Sequence, residues 1–122
     1  MPVRSSTSPV LKWPDAASVR SALAAWAERE APRHAGLLRL GYFGSYARGD
    51  WGVGSDLDLI AVVESSASPF ERRALEWETS TLPVPTELLV YSREEWERLS
   101  LEAGRFFRTV DCEAVWLVAP RG

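Results

Sequence analysis

A single cysteine, Cys112, leaves the chain no partner for an internal disulfide. That absence suits a reducing compartment. No apolar run approaches the roughly 20 residues that cross a bilayer, which excludes a spanning helix. The opening stretch, Met1 to Pro9, is polar and lacks the apolar centre of a secretory signal. Together these features set a cytoplasmic expectation, with no membrane partner. Lysine is nearly missing: Lys12 stands alone among 14 basic residues. The arginine and alanine excess reads as codon usage of a GC-rich genome, not as function. Positive charge is also scarce where a nucleic-acid interface needs it. Residues 1–49 carry +4, whereas residues 50–122 carry −7, for a total of −3. The acidic part has the wrong sign for sequence-independent binding to phosphodiesters, so no direct nucleic-acid partner is expected. His34 is the only histidine and lies near a helix end, where it reads as a cap or surface residue and not as a base.

What remains is an ordinary soluble composition, 46% apolar and 25% charged over 122 residues, enough for one domain and too little for a large second one. Residues 1–13 read as a loose Ser/Pro-rich lead-in, and residues 14–122 as one domain. Asp15 is placed to cap a helix running to about Ala31, with Val19, Leu23, Trp26 and Ala27 on its apolar face. Leu37–Phe43 reads as a strand, Ser45–Arg48 as a short helix and Asp56–Val63 as a second strand. Pro69 to about Ser80 is expected to be helical, with Phe70, Ala74 and Trp77 on one side. Pro83 and Pro85 forbid helix and introduce a strand at Thr86–Tyr91. Ser92 and Glu95 form a capping box that starts a helix ending near Ala103. A short helical piece at Phe106–Val110 precedes a last strand, Ala114–Val118. The order αβαβαβααβ predicts an α/β (α+β) fold, one mixed sheet of about four strands backed by helices.

The chemistry concentrates in Gly44-Ser45-Tyr46-Ala47-Arg48-Gly49 and Ser55-Asp56-Leu57-Asp58-Leu59. Alternation along a strand puts Asp56 and Asp58 on one face and the two leucines on the other. Two carboxylates so close repel unless a proton or a cation lies between them, and at neutral pH the natural resident is a hard divalent ion such as Mg2+. Gly44 lets a backbone approach phosphate oxygens, and Ser45 offers a hydroxyl and an amide. Arg48 lies one turn on, within reach of a polyphosphate or of a carboxylate that would pin the loop. Nucleotidyl transfer by two metal ions needs a third carboxylate on a neighbouring strand. Glu87, inside the otherwise apolar Thr86–Tyr91, is the candidate, to bind metal and help accept the acceptor's proton.

Plainer roles exist for each. The Asp pair can be a solvated strand end, Ser45 a helix cap, Arg48 an ion-pair former and Glu87 a solvent-facing edge residue. An EF-hand-like calcium loop fails, because the residues from Asp50 lack the alternating oxygen ligands and closing glutamate. Trp26, Trp77 and Trp116 fit core positions. Trp51 is either a stacking platform for a base or acceptor, or a loop anchor. Trp96, Phe106 and Phe107 are either core or part of a protein-binding face.

The composite from Leu40 to Asp50 and from Ser55 to Ile60 resembles the minimal nucleotidyltransferase (MNT) group of the DNA polymerase β-like superfamily. The resemblance spans roughly Leu37 to Val118, and Gly44, Ser45, Asp56, Asp58 and Glu87 match its signature positions. It implies Mg2+, two ions, and ATP as substrate. It implies the antitoxin half of a HEPN/MNT toxin–antitoxin pair, with AMP transferred to a tyrosine of a HEPN-type toxin in a hetero-oligomer. Two rivals stand beside it. One is an antitoxin that neutralises a HEPN partner by binding alone. The other is an aminoglycoside-type transferase working with a separate helical subunit, since this chain has no room for a drug-binding domain.

Overall fold

Asp15 caps the first helix through its side chain: Oδ1 accepts the Ser18 amide at 2.8 Å, and α1 (Ala16–Glu30) begins there. The computed structural model of the chain describes residues 13–119. The lead-in expected at 1–13 lies outside them except for Trp13, whose indole Nε1 donates to the Tyr46 hydroxyl at 3.1 Å. On α1, the expected apolar face is the buried one, Val19, Leu23, Trp26 and Ala27. A 3₁₀ turn, Ala31–Arg33, ends the helix at Pro32.

Four strands follow: β1 (Leu37–Phe43), β2 (Leu57–Val63), β3 (Thr86–Ser92) and β4 (Val115–Val118). They form one sheet in the order β3-β2-β1-β4. β1 is antiparallel to both β2 and β4, and β2 is parallel to β3, so the sheet is mixed. Period-two alternation splits it into two cores. Leu57, Leu59, Ala61, Leu88 and Val90 face α1 together with Trp26 and Trp77. Ile60 and Val62 face the other way, against Trp96 of α4 (Arg93–Glu102) and Val110 of α5 (Arg105–Glu113). A fully buried side chain of this size contributes roughly 1.5–3 kcal/mol. Trp96 is therefore a core residue, with Phe107 and Trp116 packed around it. α4 begins with the expected reciprocal capping box between Ser92 and Glu95.

Three expectations change. The helix expected over 69–80 is a single turn, α3 (Phe70–Arg73), followed by a 3₁₀ turn at Ala74–Glu76. Its backbone is claimed by tertiary bonds: the Glu78 amide donates to Glu30 Oε2 at 3.1 Å, and the Glu78 carbonyl accepts the Trp26 indole. Those groups cannot also serve an i to i−4 ladder. Phe70 is consequently exposed, while Trp77 still reaches the core. Second, α5 runs on to Glu113, three residues past the expected Val110. Third, the His34 ring is no surface group. It stacks on Trp77, centroids 3.6 Å apart, and bonds Glu30 Oε2 at 3.0 Å, although its backbone does cap the 3₁₀ turn.

Candidate active site

At the end of β1 the chain turns into α2 (Ser45–Arg48) through Gly44. Gly44 has φ 80° and ψ −153°, a conformation side-chain-bearing residues avoid. Space reinforces the requirement, because an added Cβ would collide with Asp58 Oδ2. The Ser45 carbonyl then accepts the amides of Gly49 and Asp50 at 2.9 and 3.1 Å, which closes the turn. The Trp51 ring is stacked on Tyr46, 5.7 Å between centroids, and anchors the loop that leads back to the sheet.

The sheet register places the acids. Phe43 pairs with Asp58, and Asp58 pairs with Glu87. Residues paired across parallel strands share a face, so Asp58 and Glu87 stand side by side. That face is the α4–α5 side, set by Ile60 and Val62 at the following even positions. Asp56 precedes β2 by one residue, and its charge also reaches Asp58. Burial, then the negative charges of Glu87 and Asp56, push the Asp58 carboxyl above its ordinary value; Arg48 pulls the other way and Glu113 adds to the rise. Asp58 is half-buried, whereas Asp56 and Glu87 are exposed at the mouth of the site.

The three acids do not close into a cage of their own. Among the described residues, no three Asp, Glu, His or Cys side chains sit close enough to hold an ion unaided. The donor set still fits Mg2+, which is ordinarily held by one or two carboxylates and completed by substrate phosphates and water. Asp58, desolvated and repelled by Glu87 and Asp56 beside a glycine-only turn, is the feature that a cation would relieve.

Arg48 is oriented toward carboxylates. Its Nε bonds Asp50 Oδ2 at 3.1 Å, and its Nη1 bonds Glu113 Oε1 at 3.0 Å. The same Glu113 oxygen accepts the Gly44 amide at 2.9 Å. Glu113 escaped the sequence reading because its partners lie 69 and 65 residues away. One signal was present: an acid in the last turn of a helix faces the negative end of its dipole and needs a compensating donor.

The nucleotidyltransferase domain family model matches residues 25–111, which include the Gly44 turn and all three acids and stop short of Glu113. A crystal structure of a candidate nucleotidyltransferase from Sulfolobus solfataricus is similar in fold, with a TM-score of 0.57. The two are 19% identical, and the match covers 86% of this chain and 87% of that one. No curated protein matches the chain.

Proposed function

The chain belongs to the nucleotidyltransferase domain family, and we propose that it transfers AMP from ATP, with Mg2+, to a tyrosine hydroxyl of a HEPN-type toxin, acting as its antitoxin. The single observation that carries the transfer is the Asp58–Glu87 register pair standing against the Gly44 turn. Asp56, Asp58 and Glu87 would hold the metal, and Gly44 and Ser45 the phosphates. The bound ion supplies charge neutralisation for the triphosphate and acidifies the attacking hydroxyl. In the reaction, the acceptor oxygen forms a bond to the α-phosphorus as the bond to pyrophosphate breaks. Glu87, exposed beside Asp58, takes the proton released by that hydroxyl.

A protein acceptor is favoured by the openness of the site. Asp56 and Glu87 are exposed, and β3, which carries Glu87, is an edge strand. Such a site admits a side chain presented by another molecule. The HEPN identity of that molecule comes from the resemblance to the MNT group. The test is intact-mass analysis of the candidate toxin after incubation with this protein, ATP and Mg2+. A gain of whole AMP units, lost with Asp58→Asn, is expected. No gain with any of the four nucleoside triphosphates overturns the transfer.

A second reading, neutralisation by binding alone, draws on one observation: the Gly44 amide is already taken by Glu113. The double variant Asp56→Asn with Asp58→Asn separates the two. Full neutralisation by that variant favours binding alone.

A further inference from the structure

We propose that Glu113 is a positioning residue that tethers Arg48 to the Gly44 turn and so keeps its guanidinium off the carboxylates of Asp58, Asp56 and Glu87. The inference rests on the metal-dependent reading above. One oxygen, Glu113 Oε1, accepts both the Gly44 amide at 2.9 Å and Arg48 Nη1 at 3.0 Å. A second arginine nitrogen is held by Asp50 at 3.1 Å. Gly44 itself abuts Asp58 Oδ2. The tethering point of Arg48 is therefore separated from Asp58 by only the glycine backbone.

A guanidinium seeks planar, two-pronged pairing with a carboxylate. Freed from Glu113, Arg48 is left near Asp58, whose repulsion by Glu87 and Asp56 its charge already offsets in part. A cation and Arg48 would then compete for the same oxygens. Glu113 offers the arginine another carboxylate on the far side of Gly44 from Asp58. Its position is otherwise a poor one for an acid, the last turn of α5, with no basic residue in that turn. Its side chain is 19% exposed against 47% for Arg48, so of the two bonds it accepts the one from Gly44 is the better shielded.

Mn2+ serves as the probe, its binding read by electron paramagnetic resonance without nucleotide and with ATP, in the full chain. Glu113→Gln keeps an acceptor for the Gly44 amide but loses the charge that holds Arg48. Its Mn2+ affinity is expected to fall about ten-fold, the usual scale for an outer-shell change, with the melting temperature nearly unmoved. Adding Arg48→Met to it is expected to restore affinity to within about two-fold of the original chain, the coupling expected of residues in contact. Arg48→Met alone, which does not depend on the folding of Glu113 variants, is expected to bind Mn2+ without nucleotide at least as tightly as the original chain. Unchanged affinity in Glu113→Gln, no rescue in the double variant, or weaker nucleotide-free binding in Arg48→Met overturns the tether. If the original chain binds Mn2+ and yet transfers no AMP, the proposed reaction fails, and the tether stands or falls by the three variants alone. If it binds no Mn2+ under either condition, both fail.

Discussion

Arg73 and Glu95 meet through two hydrogen bonds, Nη1 to Oε1 at 2.6 Å and Nη2 to Oε2 at 3.1 Å. The buried guanidinium also donates to the carbonyls of Val90 and Ser68. One arginine thus fastens α3 to the outer strand and to the start of α4, and covers a carbonyl on the edge of the sheet.

That pair sets an acid limit. The Arg73 hydrogen bond, offset in part by burial and helped by the Ser92 amide, holds the Glu95 carboxyl at about 2, against an ordinary 4.5. A carboxyl lowered in the folded state contributes stability that is complete above its unfolded value and is lost as pH falls toward the folded one. The window is therefore from about 4.5 down to about 2. Glu95→Gln is expected to be less stable than the original chain at about pH 7 and to converge with it as pH drops through this window. Urea unfolding at a series of pH values checks it, and a gap that does not narrow refutes it.

Gly44→Ala should be costly twice over. Its backbone sits at positive φ, which contributes roughly 1–3 kcal/mol of strain for a residue with a side chain. The new methyl would also push Asp58 Oδ2 aside. The expected result is a loss of at least about 1 kcal/mol in denaturant titrations, with AMP transfer abolished. A variant of full stability and full activity would remove the turn from the site.

Asp58→Asn separates stability from chemistry. The carboxylate is half-buried and repelled by Glu87 and Asp56, so its charge is unfavourable in the unliganded fold. The amide is expected to leave stability equal or raise it by up to about 1 kcal/mol, the trade seen when a strained functional group is removed. Transfer is expected to fall by about a thousand-fold or more. Thermal melting alongside the mass assay reads both, and a marked drop in stability would mean that Asp58 has a structural partner.

Locally coded features of this chain could be read before any coordinates. The Asp15 cap, the Ser92–Glu95 box and the alternation of β2 each depend on residues within four positions of one another. Both caps appear where spacing puts them, and β2 keeps its expected faces but begins at Leu57, one residue after the expected Asp56. The mixed four-stranded sheet follows from the order of those elements. The misread segment at 69–80 depends instead on Glu30 and Trp26, which claim the Glu78 backbone from 48 and 52 residues away. Glu113 is the same case in the site itself, since no local spacing links it to Gly44 or Arg48. His34 looked like a surface cap because nothing near it in sequence announces the face of Trp77.

Glu87 gives the sharpest remaining test, since its plain role and its chemical role predict different measurements. It is exposed on an edge strand, and an edge carboxylate with no bonded partner among the described residues contributes little to stability. Glu87→Gln is therefore expected to melt within about 0.5 kcal/mol of the original chain under either role. If the residue only faces solvent, transfer is untouched. If it stands beside Asp58 as part of the metal and proton-accepting apparatus, kcat is expected to fall by about a hundred-fold or more. Its Mn2+ affinity should weaken as well. Glu87→Asp shortens the side chain while keeping its charge, and should recover part of the metal affinity but less of the rate, because proton transfer tolerates misplacement poorly. Equal rates in all three proteins would return Glu87 to the solvent edge and leave the reaction to Asp56 and Asp58.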